Sequence, residues 1–427
     1  MGLLLAVSGI APAIAASLPA SPAGAGADSP RFSAERLQRL DGFLRKATDL
    51  HGYLGAVSLV VLDDEVVQSQ AYGYRDLART APMRTDSIFR IYSMTKTATT
   101  IAVLVLMEEG KLNLDDPVEK FLPEFADMKV FTGGTADAPQ LRPANNKLTL
   151  HQLLTHTAGF ATGGAGYEEP TRILERADLH GSADLAEFSR RLSRVPLAVE
   201  PGTRFSYDGT QLEVLARVVE VVSGQRFDAF LQQRLFDPLG MADTGFSVPM
   251  DKRARIVDIT VMGEDGKLHL DDGRSAVDPG AMLNRYPSGA GGLYSTAPDF
   301  MRLCRMLLGG GTFRDGMHAG VSILGRKTVE QMMLNHLTFL DPPVTEFSDA
   351  EGFGLGGSVL LDPARKGRLG SVGQFGWSGA ASTYFSIDPQ ERMISILLLQ
   401  HLPDKAANDL PRISTPFYNL VYQALVR

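Results

Sequence analysis

Strand-type patterning in this 427-residue chain is confined to its two ends. Apolar runs of strand length occur at 54–62, 66–74 and 87–92, and again after about 350 at 353–361, 381–387 and 393–399, whereas the stretch from about 115 to 300 reads as helix broken by Gly and Pro. Backbone N–H and C=O groups need partners, so the early and late runs must pair with one another. The expected architecture is α/β: one sheet assembled from about 50–92 and 350–427, flanked by helices, with a mostly helical region of about 115–300 inserted between its halves.

Local signals fill in this frame. Residues 33–49 place Leu37, Leu40, Phe43 and Leu44 on one face behind Ser33, a helix cap candidate. Asp63-Asp64-Glu65 separates the first two strand runs and reads as a hairpin turn. A long helical pattern over 94–110 carries Ile101, Leu104, Val105 and Met107 and ends at Gly110. The clearest helical pieces of the middle region are 151–156, 185–192, 211–223 and 227–235, and a last helix is expected over 412–426.

Composition excludes several classes. A hydrophobic fraction of 44% with 21% charged residues is that of a globular enzyme, and the length suits one large domain over 31–427. The net charge of -7, with no Lys/Arg cluster, argues against nucleic acid as a partner. The single cysteine, Cys304, permits no internal disulfide and falls in an apolar helical run, so it reads as packing. His151 and His156 are five apart, and no H-E-x-x-H pattern occurs, so neither a metal nor a cofactor is expected. The acidic pair Asp115-Asp116 before Pro117 reads as a helix-entry cap. Residues 3–16 are apolar but too short, and too interrupted by Gly9 and Pro12, to span a bilayer. With Ala13-Ile14-Ala15 as a small-x-small cleavage pattern, residues 1–30 read as a secretory signal followed by a disordered Ala/Ser/Pro/Gly-rich tail. The protein is expected to be periplasmic or secreted, or cytoplasmic if that segment is not a working signal, with no membrane partner.

The chemistry concentrates at Ser93-Met94-Thr95-Lys96, an S-x-x-K motif. Residues three apart on a helix are neighbours, so Lys96 can take or share the Ser93 proton. A serine at a helix N-terminus also has free backbone N–H groups and a positive dipole end to steady developing negative charge. Four letters alone occur by chance, but this motif follows an aromatic strand run and opens a long, buried-looking helix. A rival nucleophile is Ser378, since Gly376-Trp377-Ser378-Gly379-Ala380 approaches a G-x-S-x-G elbow. An elbow needs a helix directly afterwards, and 381–387 reads as strand.

The run SMTKTATTIAVLVLMEEGKLNLDDPVEKFLPEF (93–125) resembles the nucleophile segment of class C β-lactamases, DD-peptidases and family VIII carboxylesterases. LTLHQLLTHTAGF (148–160), PGTRFSYDG (201–209), LFDPLGMADTGF (235–246) and SGAGGLYSTAPDF (288–300) are similar to the same superfamily in the same order. The resemblance implies the β-lactamase/transpeptidase-like fold, with the active site in a cleft between sheet and helical region. It also implies Tyr207 as the second proton-handling group, at the place of a Tyr-x-Asn motif. The Asn of that motif is Gly209 here, which removes an amide grip on an acylamino side chain. The third motif, Lys-Thr-Gly or His-x-Gly, is replaced by Trp377-Ser378-Gly379, the candidate substrate-binding stretch. An indole there offers an apolar face and one N–H instead of a cation, which favours an uncharged group and resembles the esterase branch. By resemblance the backbone N–H groups of Ser93 and Ala380 form the oxyanion hole. His156 is implied to be structural, bonding the turn before Gly159. The expectation is a serine hydrolase acting through an acyl-enzyme on small carboxylic esters; a β-lactamase or D-amino-acid peptidase, and a non-catalytic penicillin-binding-type sensor, are the alternatives.

Overall fold

The computed structural model describes residues 31–49, 52–160, 163, 166–274, 276–314, 316–404 and 408–426, so the expected signal segment and tail at 1–30 lie outside the described residues. Strands β1 (Gly55–Leu62) and β2 (Glu65–Gly73) form the first hairpin. Its turn is the pair Asp63-Asp64, both left-handed at φ 49° and 67°, a backbone shape that matches strand twist and that Asp tolerates. Late in the chain come β3 (Glu351–Phe353), β4 (Ser358–Leu360), β5 (Phe375–Gly379), β6 (Thr383–Asp388) and β7 (Met393–Leu398). Among the described residues these build an antiparallel sheet in the order β2-β1-β7-β6-β5-β4-β3. The two ends of the chain meet where β1 pairs with β7, from Val57 opposite Leu398 to Leu62 opposite Met393.

All eight β1 positions are buried, because both faces of the sheet are covered. Val57, Leu59 and Val61 face one core with Ile394, Ile396 and Leu398; Ala56, Val60 and Leu62 face the other with Met393 and Leu397. The second core is closed by α1 (Ala34–Ala47) and, from the C-terminal end, by the helix Ser414–Tyr422, through Leu37, Leu40, Leu44, Phe417 and Val421. Ser33 caps α1 by accepting from Arg36 N–H. The first core is filled by α2 (Thr95–Glu108), by α3 (Thr210–Ser223) and by α4 (Ala297–Leu308), which carries the buried Cys304.

Three expectations change. The run at 87–92 is a strand only at Phe89–Arg90, and it pairs with Tyr294–Ser295 rather than joining the main sheet. Its partner is a segment of the middle region, so this small ribbon fastens the approach to Ser93 against the inserted layer. The run at 353–361 is split by a tight hairpin, with Gly354 N–H donating to Gly357 C=O and Gly356 at φ 78°. The middle region also holds two hairpins, Lys129–Thr135 with Ala138–Pro143 and Thr260–Met262 with Leu268–Leu270. The first is largely exposed and the second is two three-residue strands, so neither carries an apolar alternation to read. Among the described residues no helix is long and apolar enough to cross a membrane.

Helix α2 is buried on every side from Thr95 to Leu106, as a helix sheathed by a sheet and other helices must be. Leu104 is fully buried at its centre. Leu104→Ala is expected to destabilise the fold by about 3 kcal/mol, read as a lower urea midpoint at unchanged m-value.

Candidate active site

Ser93 sits in the 3₁₀ turn Tyr92–Met94 that leads straight into α2. Tyr92 is held at φ 43°, a left-handed conformation that costs a non-glycine residue about 1 kcal/mol and marks a turn set by its surroundings. One helical turn later Lys96 is almost wholly buried, and its Nζ donates to Ser93 Oγ at 3.0 Å and to Ala290 C=O at 2.8 Å. The same Nζ lies 4.9 Å from the centre of the Tyr207 ring. S-x-x-K spacing has therefore placed amine and hydroxyl in contact, and Ala290 holds the amine from the opposite wall.

Tyr207 arrives on the loop before α3. Its backbone N–H donates to Glu346 Oε1 at 2.9 Å, and its hydroxyl accepts from Trp377 Nε1 at 3.1 Å. The indole lies 5.1 Å, centre to centre, from the phenol ring and meets Phe353 edge-on at 5.1 Å. The single N–H that sequence reasoning assigned to substrate is thus committed to Tyr207, and the indole contributes a tethered phenol and an apolar wall. Phe347, 58% exposed, stands edge-on to Tyr207 at 5.6 Å and forms the outer rim of this aromatic group.

His156 has a different task from the one expected. It lies fully buried beneath Tyr207, ring centres 4.6 Å apart; its Nδ1 accepts from Asp208 N–H at 3.3 Å and its C=O accepts from Ser206 N–H at 2.8 Å. It clamps the Tyr207 segment instead of the turn before Gly159. Burial, reinforced by the Lys96 charge, pushes its pKa well below the usual imidazole value, so it stays neutral and cannot supply a proton at neutral pH. Asp208, also buried, is raised to about 6 by desolvation, opposed by bonds from Thr210 and by Lys96.

Strand β5 carries Trp377, Ser378 and Gly379 up to Ala380. A β-carbon at Gly379 would lie 2.3 Å from Ile91 C=O, so only glycine lets the strand end press this closely against the approach to Ser93. That contact sets the exposed Ala380 at the head of the β5–β6 turn, with β5 packed on the Tyr92–Met94 turn. Ser378 pairs with Tyr384 in a hairpin, and no helix follows it, which removes the elbow reading. Ser93, Lys96, Tyr207 and Trp377 come together; Glu346 and Phe347 join them from a segment no local motif flagged, and Ala290 and Phe353 from runs whose part in the site the sequence did not indicate. A separate cavity of about 450 Å³ between Ile88, Phe236, Phe246 and Met282 is lined by none of Ser93, Lys96, Tyr207 and Trp377.

A serine and lysine in contact at the head of a buried helix, beside an antiparallel sheet, define a serine hydrolase of the β-lactamase superfamily. The chain belongs to the Beta-lactamase family, whose model matches residues 40–414. Esterase EstB of Burkholderia gladioli is 30% identical over 390 residues, covering 84% of this chain and 89% of that protein. Lovastatin esterase of Penicillium rubens is 30% identical over 390 residues, covering 85% and 89%. Among solved structures, EstCE1, a hydrolase with promiscuous acyltransferase activity, superposes with a TM-score of 0.70 at 26% identity, covering 91% of this chain and 99% of that one.

Trp377→Phe keeps the ring and deletes the donor to Tyr207. It is expected to lower kcat/KM for p-nitrophenyl butyrate about fivefold, equivalent to about 1 kcal/mol, with the melting temperature nearly unchanged.

Proposed function

We propose that this chain is a carboxylesterase acting on short-chain or small carboxylic esters through an acyl-enzyme on Ser93. The observation that carries the reading is the 3.0 Å contact between Lys96 Nζ and Ser93 Oγ inside a buried site whose wall is Tyr207 tethered to Trp377. Ser93 Oγ attacks the ester carbonyl carbon, its proton passing to Lys96 and Tyr207. The N–H groups of Ser93 and Ala380 hold the oxyanion. Collapse expels the alcohol, which takes the relayed proton, and water then attacks the acyl-enzyme, releasing the acid and restoring the Ser93 hydroxyl.

The preference for esters rests on what lines the site. Trp377 stands where lactam-processing members carry a cation, so an anionic substrate carboxylate meets an indole instead. Gly209 presents no amide to an acylamino chain. Trp377 and Phe347, backed by the buried Phe353, offer apolar surface suited to an uncharged acyl or alcohol group, with Ser378 and Gly379 supplying the backbone edge along which it lies. The esterase relatives support the same choice.

Initial rates on p-nitrophenyl butyrate and a chromogenic cephalosporin, for wild type and Ser93→Ala, test this. Ester turnover is expected to fall by about a thousandfold or more in the mutant, with little cephalosporin cleavage by either protein. A cephalosporin turned over far better than the ester would reverse the esterase reading. Ester turnover that survives Ser93→Ala but is lost in Ser378→Ala would move the nucleophile.

A further inference from the structure

Behind Lys96 lies a buried carboxylate that the proposed reaction does not use. Glu213, in the first turn of α3, is only 3% exposed. Its Oε1 accepts from Ser288 Oγ and its Oε2 accepts from Gly289 N–H at 2.8 Å. Two donors of one short turn are thus gathered onto one side chain. The carbonyls of the same turn point the other way, into α2: Gly289 C=O accepts from Thr99 Oγ1 at 2.7 Å and Ala290 C=O accepts from Lys96 Nζ at 2.8 Å.

We infer that Glu213 is a positioning residue for Lys96: its carboxylate grips the 288–290 turn and thereby fixes the carbonyl that aims the amine at Ser93. This deepens, and rests on, the esterase mechanism above. The turn has little other freedom, since a β-carbon at Gly289 would lie 2.7 Å from Leu212 C=O and 2.9 Å from Ala216 Cβ. It is pinched between α2 and α3, and the direction in which Ala290 C=O points depends on what holds Gly291 N–H, the other side of that peptide. Ser288 Oγ also accepts from Gly291 N–H at 3.3 Å, so the grip extends one residue further along the turn. Glu213 touches neither Ser93 nor Tyr207, so its effect must pass through Ala290 and Lys96.

The groups facing Glu213 are Lys96 from α2 and Tyr286 and Ser288 from the segment holding the turn, with Asp208 facing Lys96 from the start of α3. Burial raises the Glu213 carboxyl to about 7, against the lowering effect of Ser288, Gly289 and Lys96. The ionised form accepts from Ser288 and Gly289; in the protonated form one oxygen becomes a donor, so the bond with Ser288 Oγ must reverse and compete with Gly291 N–H for that oxygen. The gripping form therefore dominates above about pH 7 and is lost as pH falls through that value.

Glu213→Gln imitates the protonated form at every pH. The experiment measures kcat and KM for p-nitrophenyl butyrate from acid to alkaline pH, per active site counted by a fluorophosphonate probe and located by mass on Ser93. The ratio of wild-type to mutant kcat is expected to rise from about twofold near pH 5.5 to about tenfold near pH 8.5, with KM changed less than about twofold. A ratio that is flat with pH, or no loss of kcat, overturns the assignment. If Glu213→Gln yields no titratable sites, Ser288→Ala decides: it keeps the carboxylate and removes one donor, and an unchanged kcat overturns the proposal, whereas a loss of about threefold supports it. Probe mass on a residue other than Ser93 would instead sink the nucleophile assignment, which separates the two failures.

Discussion

The antiparallel pairing of β1 with β7 is the contact on which the rest of the molecule depends. It ties Val57–Leu62 to Met393–Leu398 across more than three hundred residues of chain, and it leaves both strands buried on both faces. With that join made, the hairpins on either side fall into register, and β5 is brought beside the turn that carries Ser93. The insertion between the halves then has one surface it can cover, the face occupied by α2 and α4.

The site is a consequence of α2 being wrapped on all sides. A lysine on a helix with no exposed face must find partners within the protein, because a buried ammonium or amine left without them is costly. Lys96 finds one on its own helix, Ser93 Oγ, and one on a remote turn, Ala290 C=O. The remote partner is in turn held by Glu213, a second buried ionisable group. Polar contacts of this kind are strong where water is excluded and unforgiving when a member is lost.

Around Tyr207 the logic is aromatic. His156 below, Trp377 beside and Phe347 above fix the ring from three directions, while Glu346 holds its backbone. The indole N–H is taken by the phenol oxygen and so orients Tyr207. That bond distinguishes this site from one built around a free cation at the same position.

Ser93 and Lys96 were legible because their relation is local: three residues on a helix fix their separation whatever surrounds them. The strand runs were legible for a similar reason, since their apolar residues are consecutive, but their division between two cores was not, because strands buried on both faces show no alternation. The short strand at Phe89–Arg90 was misassigned to the main sheet because two residues hold no information about which edge will receive them. Glu346, Phe347, Ala290 and Glu213 carry no pattern of their own; each matters through a neighbour more than seventy residues away in the chain. Their roles exist only once β1 and β7 have closed the fold. Sequence alone thus determined the pairing of Ser93 with Lys96 and the two-ended sheet, which rest on local spacing and local apolar runs, whereas tertiary structure alone decided what holds Lys96 and Tyr207, because those partners are chosen by packing across the cleft.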